Sequence, residues 1–154
     1  MGLLTVDELL LTDDLFCYGE RRGSESVLYA TITSWGWISG EPKYLYAANT
    51  QMRSGKGIPM VRSGSILKTQ FITNVTKYSA YYSYIKIYIN DILVITMSIR
   101  HTSTGIKESS IYTESRDSVP FNQGDYITVI ASETAGGTAE HGHTLVAMSV
   151  IWDD

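Results

Sequence analysis

Glu140-His141-Gly142-His143 is the one short stretch of this chain whose side chains could hold a metal. Two His at i and i+2 share a face when the segment is extended, and imidazole suits Zn, Ni or Cu. A closed tetrahedral site needs more ligands, and none lies close in sequence. One His from each chain around a three-fold axis could complete it. The plainer reading is a polar loop with two solvated imidazoles, so no metal and no cofactor are expected. His101, between Arg100 and Thr102, reads as a loop residue. Nucleophilic catalysis needs Ser or Cys, His and an acid brought together. The chain has no Gly-x-Ser-x-Gly elbow, and Arg62-Ser63-Gly64-Ser65 lacks that pattern. Cys17 lies in an apolar stretch and reads as a small buried hydrophobe. The acids Asp13, Asp14, Asp117, Asp125, Glu133, Asp153 and Asp154 fall mostly in turns, and no two stand out as the facing pair that glycoside cleavage requires. Ser54-Gly55-Lys56-Gly57 lacks the full phosphate-loop pattern. A binding protein, not an enzyme, is expected.

Aromatic residues are the other candidates. Tyrosine stands at 11 residues against 3 Phe. Its ring is apolar and its hydroxyl wet, which suits strands and interfaces alike. Tyr78, Tyr81, Tyr82 and Tyr84 fall within seven positions, more rings than one sheet face can bury. They are expected to form a partner or ligand surface for a sugar or another protein. Trp35 and Trp37 read as cover over an open end of the core.

The elements that must position these residues are strands. Val27–Ile32, Lys43–Ala47, Ser65–Thr73, Tyr84–Ile89, Ile92–Met97, Tyr126–Ala131 and Thr144–Trp152 are rich in β-formers, and Ile106–Thr113 is a weaker, more polar candidate. Asn90-Asp91 between two such runs predicts a tight hairpin, since both residues tolerate positive φ. Gln123-Gly124-Asp125 predicts a turn in which Gly124 takes positive φ and Asp125 bonds a nearby amide. About eight antiparallel strands with no alternating helices argue for an all-β jelly roll or sandwich over residues 26–154. Residues 1–25 read differently. Thr5-Val6-Asp7-Glu8 is a capping box that opens a short helix carrying Leu3, Leu4, Leu9, Leu10, Leu15 and Phe16. Such an arm packs either on its own domain or on a neighbour.

The bulk composition sets limits. The 154 residues suit one domain. Charged residues make up 18%, below the ordinary value of about 25%, and interface cores are depleted in charge. Net charge is −4 with no run of Lys or Arg, so nucleic acid is not an expected partner. No apolar run is long enough to span a bilayer. Met1–Leu11 carries acids where a signal peptide has a basic start. The single cysteine excludes an internal disulfide and fits folding in a reducing cytosol.

Three stretches carry a family resemblance. Gly57-Ile58-Pro59-Met60-Val61-Arg62-Ser63-Gly64-Ser65-Ile66, Ile85-Lys86-Ile87-Tyr88-Ile89-Asn90-Asp91 and Val119-Pro120-Phe121-Asn122-Gln123-Gly124-Asp125-Tyr126-Ile127-Thr128-Val129 resemble segments of tailed-phage virion structural proteins. The Gly-Asp strand start is also similar to that of trimeric jelly rolls of the tumour-necrosis-factor and complement-head type. Asp91 stands where the phage virion proteins more often have Gly. The resemblance covers roughly the last two thirds of the chain. It implies a homotrimer in the virion, assembled in the host cytoplasm. It further implies a capsid decoration protein bound to the major capsid protein or another virion protein through the N-terminal arm. The alternative it implies is a receptor-binding knob of a tail or head fibre that contacts a host surface glycan or protein.

Overall fold

The computed structural model describes residues 25–33, 35–36, 43–47, 50–77, 82–100, 102–108, 112–115, 117–133 and 139–153. The expected helical arm, with Leu3, Leu4, Leu9, Leu10, Leu15 and Phe16, lies outside them, as do Cys17, Trp37, Tyr78, Tyr81 and His101. The described chain is all strand and turn. In order the strands are β1 (Glu25–Ile32), β2 (Trp35–Gly36), β3 (Lys43–Tyr44), β4 (Tyr46–Ala47), β5 (Thr50–Gln51), β6 (Ile58–Pro59), β7 (Gly64–Lys77), β8 (Tyr82–Ile89), β9 (Ile92–Arg100), β10 (Gly105–Glu108), β11 (Tyr112–Thr113), β12 (Pro120–Phe121), β13 (Tyr126–Glu133) and β14 (Glu140–Trp152).

They form two antiparallel sheets. The larger runs β10-β7-β14-β1-β4-β5, with β11 and β12 also on β7 and β2 on β14. The smaller runs β3-β13-β8-β9, with β6 also on β13. From β7 the chain crosses to the β8–β9 hairpin, returns to β10–β12 beside β7, crosses to β13 beside β8, and ends as β14 between β7 and β1. That wrapping of crossovers between two sheets is a jelly roll.

Fourteen described segments stand where about eight strands were expected, because two expected strands break and the short segments β2, β5, β6 and β12 form where no strand was expected. Lys43–Ala47 splits at Leu45. Its amide bonds Val129 O at 2.9 Å and its carbonyl accepts from Met52 N at 2.9 Å, so the chain changes sheets there, with β3 on β13 and β4 on β1. The weak strand Ile106–Thr113 becomes β10 and β11, both on β7.

Alternation places Ile85, Ile87 and Ile89 of β8 inward with Ile127, Val129 and Ala131 of β13. Facing them are Phe71 and Val75 of β7 and Val146, Met148, Val150 and Trp152 of β14. Each such side chain contributes roughly 1.5–3 kcal/mol by leaving water. Trp152 meets Phe121 edge-on at 5.6 Å, and its indole N–H donates to buried Ser26 Oγ at 2.9 Å. The hairpin forms where the sequence predicts it: Asn90 and Asp91 have φ of 49° and 64°, the paired positive values of a two-residue turn that follows sheet twist.

Candidate functional site

Strand alternation gives the smaller sheet an outer face of unusual chemistry. On β8 the residues between the buried isoleucines are Tyr82, Tyr84, Lys86 and Tyr88. Cross-strand register sets Arg100 beside Tyr82, Ser98 and Ser132 beside Tyr84, Thr96 and Ile130 beside Lys86, and Leu93 and Thr128 beside Tyr88. The rings of Tyr82 and Tyr84 lie near-parallel, 27° apart in plane with centroids 6.4 Å apart. Tyr82 is 41% exposed. Of the expected aromatic surface, then, Tyr82 and Tyr84 share one face. Tyr88 and Lys86 extend it, and they were readable as the outward phase of Tyr84–Ile89.

The two histidines separate. His141 is buried, against the expectation of a solvated loop, while His143 is exposed. The cause is a bulge: His141 opposes Val75 and Thr144 opposes Thr73, so β14 spends three residues where β7 spends two. An inserted residue reverses the alternation. His141 and Thr144 therefore both point inward. Among the described residues no group of three or more His, Cys, Asp and Glu is placed to hold a metal.

His141 instead joins the two sheets. Its Nδ1 lies 3.1 Å from Thr73 Oγ1, and its Nε2 lies 2.9 Å from both Glu133 Oε1 and Ser83 Oγ. Thr73 and Thr144, opposite each other in the larger sheet, are 2.6 Å apart at their hydroxyls. Ser83 and Glu133 are opposite each other in the smaller sheet, and Ser83 Oγ donates to Glu133 Oε1 at 3.4 Å. With the imidazole neutral, the hydrogens fall in one order: Thr144 to Thr73, Thr73 to Nδ1, and Nε2–H to the carboxylate. Hydroxyl, imidazole and carboxylate in line resemble a triad in outline. Yet Thr73 and Ser83 are fully buried, and a nucleophile needs access to its substrate. The arrangement ties the sandwich together at one end. Glu133 Oε2 is buried without a hydrogen-bond partner.

The outer face of the larger sheet is aliphatic. Tyr46, Thr31, Leu145 and Ile72 form one cross-strand row. Tyr29 is 43% exposed and Ile106 is 73% exposed. A shallow depression of about 420 Å³ runs between Ile72, Asn74, Ile106, His143 and Leu145.

The three stretches that carried the family resemblance meet at the end of the sandwich opposite His141. Ile58 and Pro59 pair with Ile127 and Tyr126. Met60 N–H donates to Asp125 O and Gly124 N–H to Met60 O, both at 2.8 Å. Asn90 donates through Nδ2 to Asp125 Oδ1 at 2.7 Å and accepts from Tyr126 N at 3.1 Å. Gly124 has φ of 91°, and Asp125 accepts from the nearby Asn122 N at 2.7 Å, as the sequence predicts. Asp91, where the family more often has Gly, accepts from Ser54 Oγ at 2.8 Å and from Tyr126 OH at 2.9 Å. Those hydroxyls, Ser54 first, hold its carboxyl below the ordinary range. The bond to Asp91 pushes the Tyr126 phenol up. The cluster fixes loops.

No family model matches the chain, and no curated protein does. Similar solved structures include an Eiger TNF from S. frugiperda, with 13% identity, 83% of this chain and 94% of that chain covered, and a TM-score of 0.43. Another is a family 35 carbohydrate binding module from Clostridium thermocellum, with 13% identity, 80% and 97% covered, and a TM-score of 0.35. The protein is an all-β jelly-roll domain by its own strand order.

Proposed function

We propose that this domain is a non-enzymatic virion structural protein that associates with copies of itself, as a trimer, and attaches to the phage shell as a decoration protein. The observation that carries self-association is the outer face of the larger sheet. Large apolar groups stand exposed there at Tyr29, Tyr46 and Ile106, beside partly buried Ile72, Leu145 and Ile151. Among the exposed residues of β7 and β14 the charged ones are Lys68 and, paired with each other at the strand ends, Lys77 and Glu140. Contiguous apolar surface of this kind marks contact sites, and depletion of charge marks interface cores. The virion setting rests on the three resembling stretches. Residues 1–16, with their leucines and Phe16, would supply the grip on the shell, and many such weak contacts add through multivalency. The test pairs sedimentation with particle binding. The full chain should sediment as a trimer. Deletion of Met1 to Phe16 should leave that trimer intact and abolish binding to particles. A monomer at high concentration would refute the assembly, and undiminished particle binding would refute the arm.

A second reading, a fibre knob that contacts a host surface glycan or protein, is favoured by one observation: the Tyr82–Tyr84 pair on the opposite face. Tyr82→Ala with Tyr84→Ala should abolish host-cell binding under this reading and leave particle binding unchanged under the first.

A further inference from the structure

The outer face of the smaller sheet differs from that of the larger in a way that selects a ligand. Its exposed aliphatic residues, Ile92 and Leu93, stand together at the hairpin end, and Ile130 is buried. Its hydroxyl content is high: Tyr82, Tyr84, Tyr88, Thr96, Ser98 and Ser132 sit at outward positions that are exposed or partly exposed, while Thr128 is buried. Its charge is one-signed. Lys86 and Arg100 lie on it, and no outward residue of β8, β9 or β13 among those described is Asp or Glu. The hairpin acid, Asp91, is at the far end of the hairpin from Arg100 and is engaged by Ser54 and Tyr126. Two cations on a carboxylate-free face stand out in a chain whose net charge is −4.

Each property narrows the occupant. Aromatic rings offer π faces to C–H groups and to cations, and the Tyr82 and Tyr84 rings lie nearly parallel to each other. Side-chain hydroxyls both donate and accept, which matches a polyol edge. A protein partner would call for aliphatic anchors, and those of this sheet, Ile92 and Leu93, stand at the far end of the hairpin from Tyr82 and Arg100. The column from Tyr82 to Tyr88 runs about 20 Å at strand rise, room for several sugar units. The cations add a demand for negative charge, and their attraction rises as salt falls.

We infer that this face binds an anionic oligosaccharide, one with carboxylated or sulfated sugars, with Tyr82, Tyr84 and Tyr88 as the stacking platform and Lys86 and Arg100 as the charge-reading groups. This rests on the second reading above, in which the tyrosine face contacts a glycan. The full-length protein is tested on an array of uronic-acid, sialylated and sulfated oligosaccharides printed beside their neutral parents, together with poly-glutamate and single-stranded DNA. The strongest oligosaccharide is then titrated at low and high salt. Binding confined to the anionic sugars is expected. Lys86→Gln and Arg100→Gln should each weaken it about five-fold, the upper end for an exposed ion pair. Arg100→Lys should recover part of the loss, and Tyr82→Ala should weaken binding of anionic and neutral sugars alike. Equal binding of anionic sugars and neutral parents would overturn the charge inference while leaving the glycan reading in place. Binding to poly-glutamate or DNA and to no sugar would overturn both, as would binding to nothing on the array. Retained affinity in the Lys86→Gln, Arg100→Gln double variant would move the ligand to another surface.

Discussion

Removing His141 should cost far more than removing the charge of Glu133, although the two are each other's partner. Both side chains are buried, 0% and 4% exposed. His141→Ala leaves the Glu133 carboxylate with one long bond, from Ser83 at 3.4 Å, and leaves its other oxygen unpartnered as before. Leaving a buried carboxylate without its main donor costs about 3 kcal/mol. Glu133→Gln keeps an oxygen to accept from Nε2 and discards a buried charge, so its cost should stay near 1 kcal/mol, that of about one ordinary hydrogen bond. Replacing both by Leu removes donor and acceptor together, which can approach neutrality. The double variant should therefore be more stable than the sum of the single Leu variants by about 2 kcal/mol, a coupling of contacting residues. Urea unfolding followed by far-ultraviolet dichroism reads these values, with an unchanged slope as the check on two-state behaviour. In heat, His141→Ala should lower the midpoint by about 10 °C for a chain of this size. Additive single effects, or equal costs for His141→Ala and Glu133→Gln, would refute the tie between the sheets.

The other expected outcomes concern the opposite end and the larger sheet. Because Asp91 is held below its ordinary pKa, its contribution to stability is full above the carboxylate range and is lost as pH falls through the depressed folded value. Asp91→Asn should therefore melt lower than the natural chain at about pH 6 and converge with it near about pH 2. Tyr126 titrates upward, so its bond is complete below the ordinary phenol range and is lost as pH rises through the raised value. Phenolate absorbance should show that titration move down in Asp91→Asn. Gly57→Ala should destabilise by about 3 kcal/mol, since a Cβ there collides with the backbone oxygen of Ile127. Gly124→Ala, with positive φ but open space, should cost only the backbone strain of about 1–2 kcal/mol, and urea midpoints rank the two. Ile106→Glu with Tyr29→Glu should shift sedimentation from trimer to monomer without changing the dichroism spectrum; a persistent trimer would place the contact elsewhere.

Much of this fold was legible because side chains alternate. Ile85, Ile87 and Ile89 mark the inward phase of β8, and the same phase exposes Tyr82, Tyr84 and Tyr88. Asn90-Asp91 and Gly124-Asp125 were legible from the φ values that each residue type tolerates. The break at Leu45 was not, since Lys43–Ala47 keeps its β-forming composition through the change of sheet, and only tertiary hydrogen bonds to Val129 and Met52 reveal it. The polar cluster was half legible. Thr73 stands in phase with Phe71 and Val75, Ser83 with Ile85, Glu133 with Ala131, and Thr144 with Val146, so each is a polar residue at an inward position. The pairing of these strand ends depends on register between segments far apart in sequence, which alternation alone does not fix.

His141 shows why the remainder was hidden. Counting back by twos from Val146 puts Thr144 and Gly142 inward and both histidines outward, as a solvated pair. One inserted residue between His141 and Thr144 turns His141 in while His143 stays out. Gly142 sits within the bulge beside Asn74, where a Cβ would meet only ordinary contacts, so lack of space does not demand glycine there. What the bulge gains is a donor at the right depth to meet Glu133 across the sandwich. Glu133 sits at an inward position, where a carboxylate without the imidazole would be left with Ser83 alone. The bulge and the acid therefore require each other. Straightening β14 by deleting Gly142 should be tolerated only when Glu133 is replaced by an apolar residue as well.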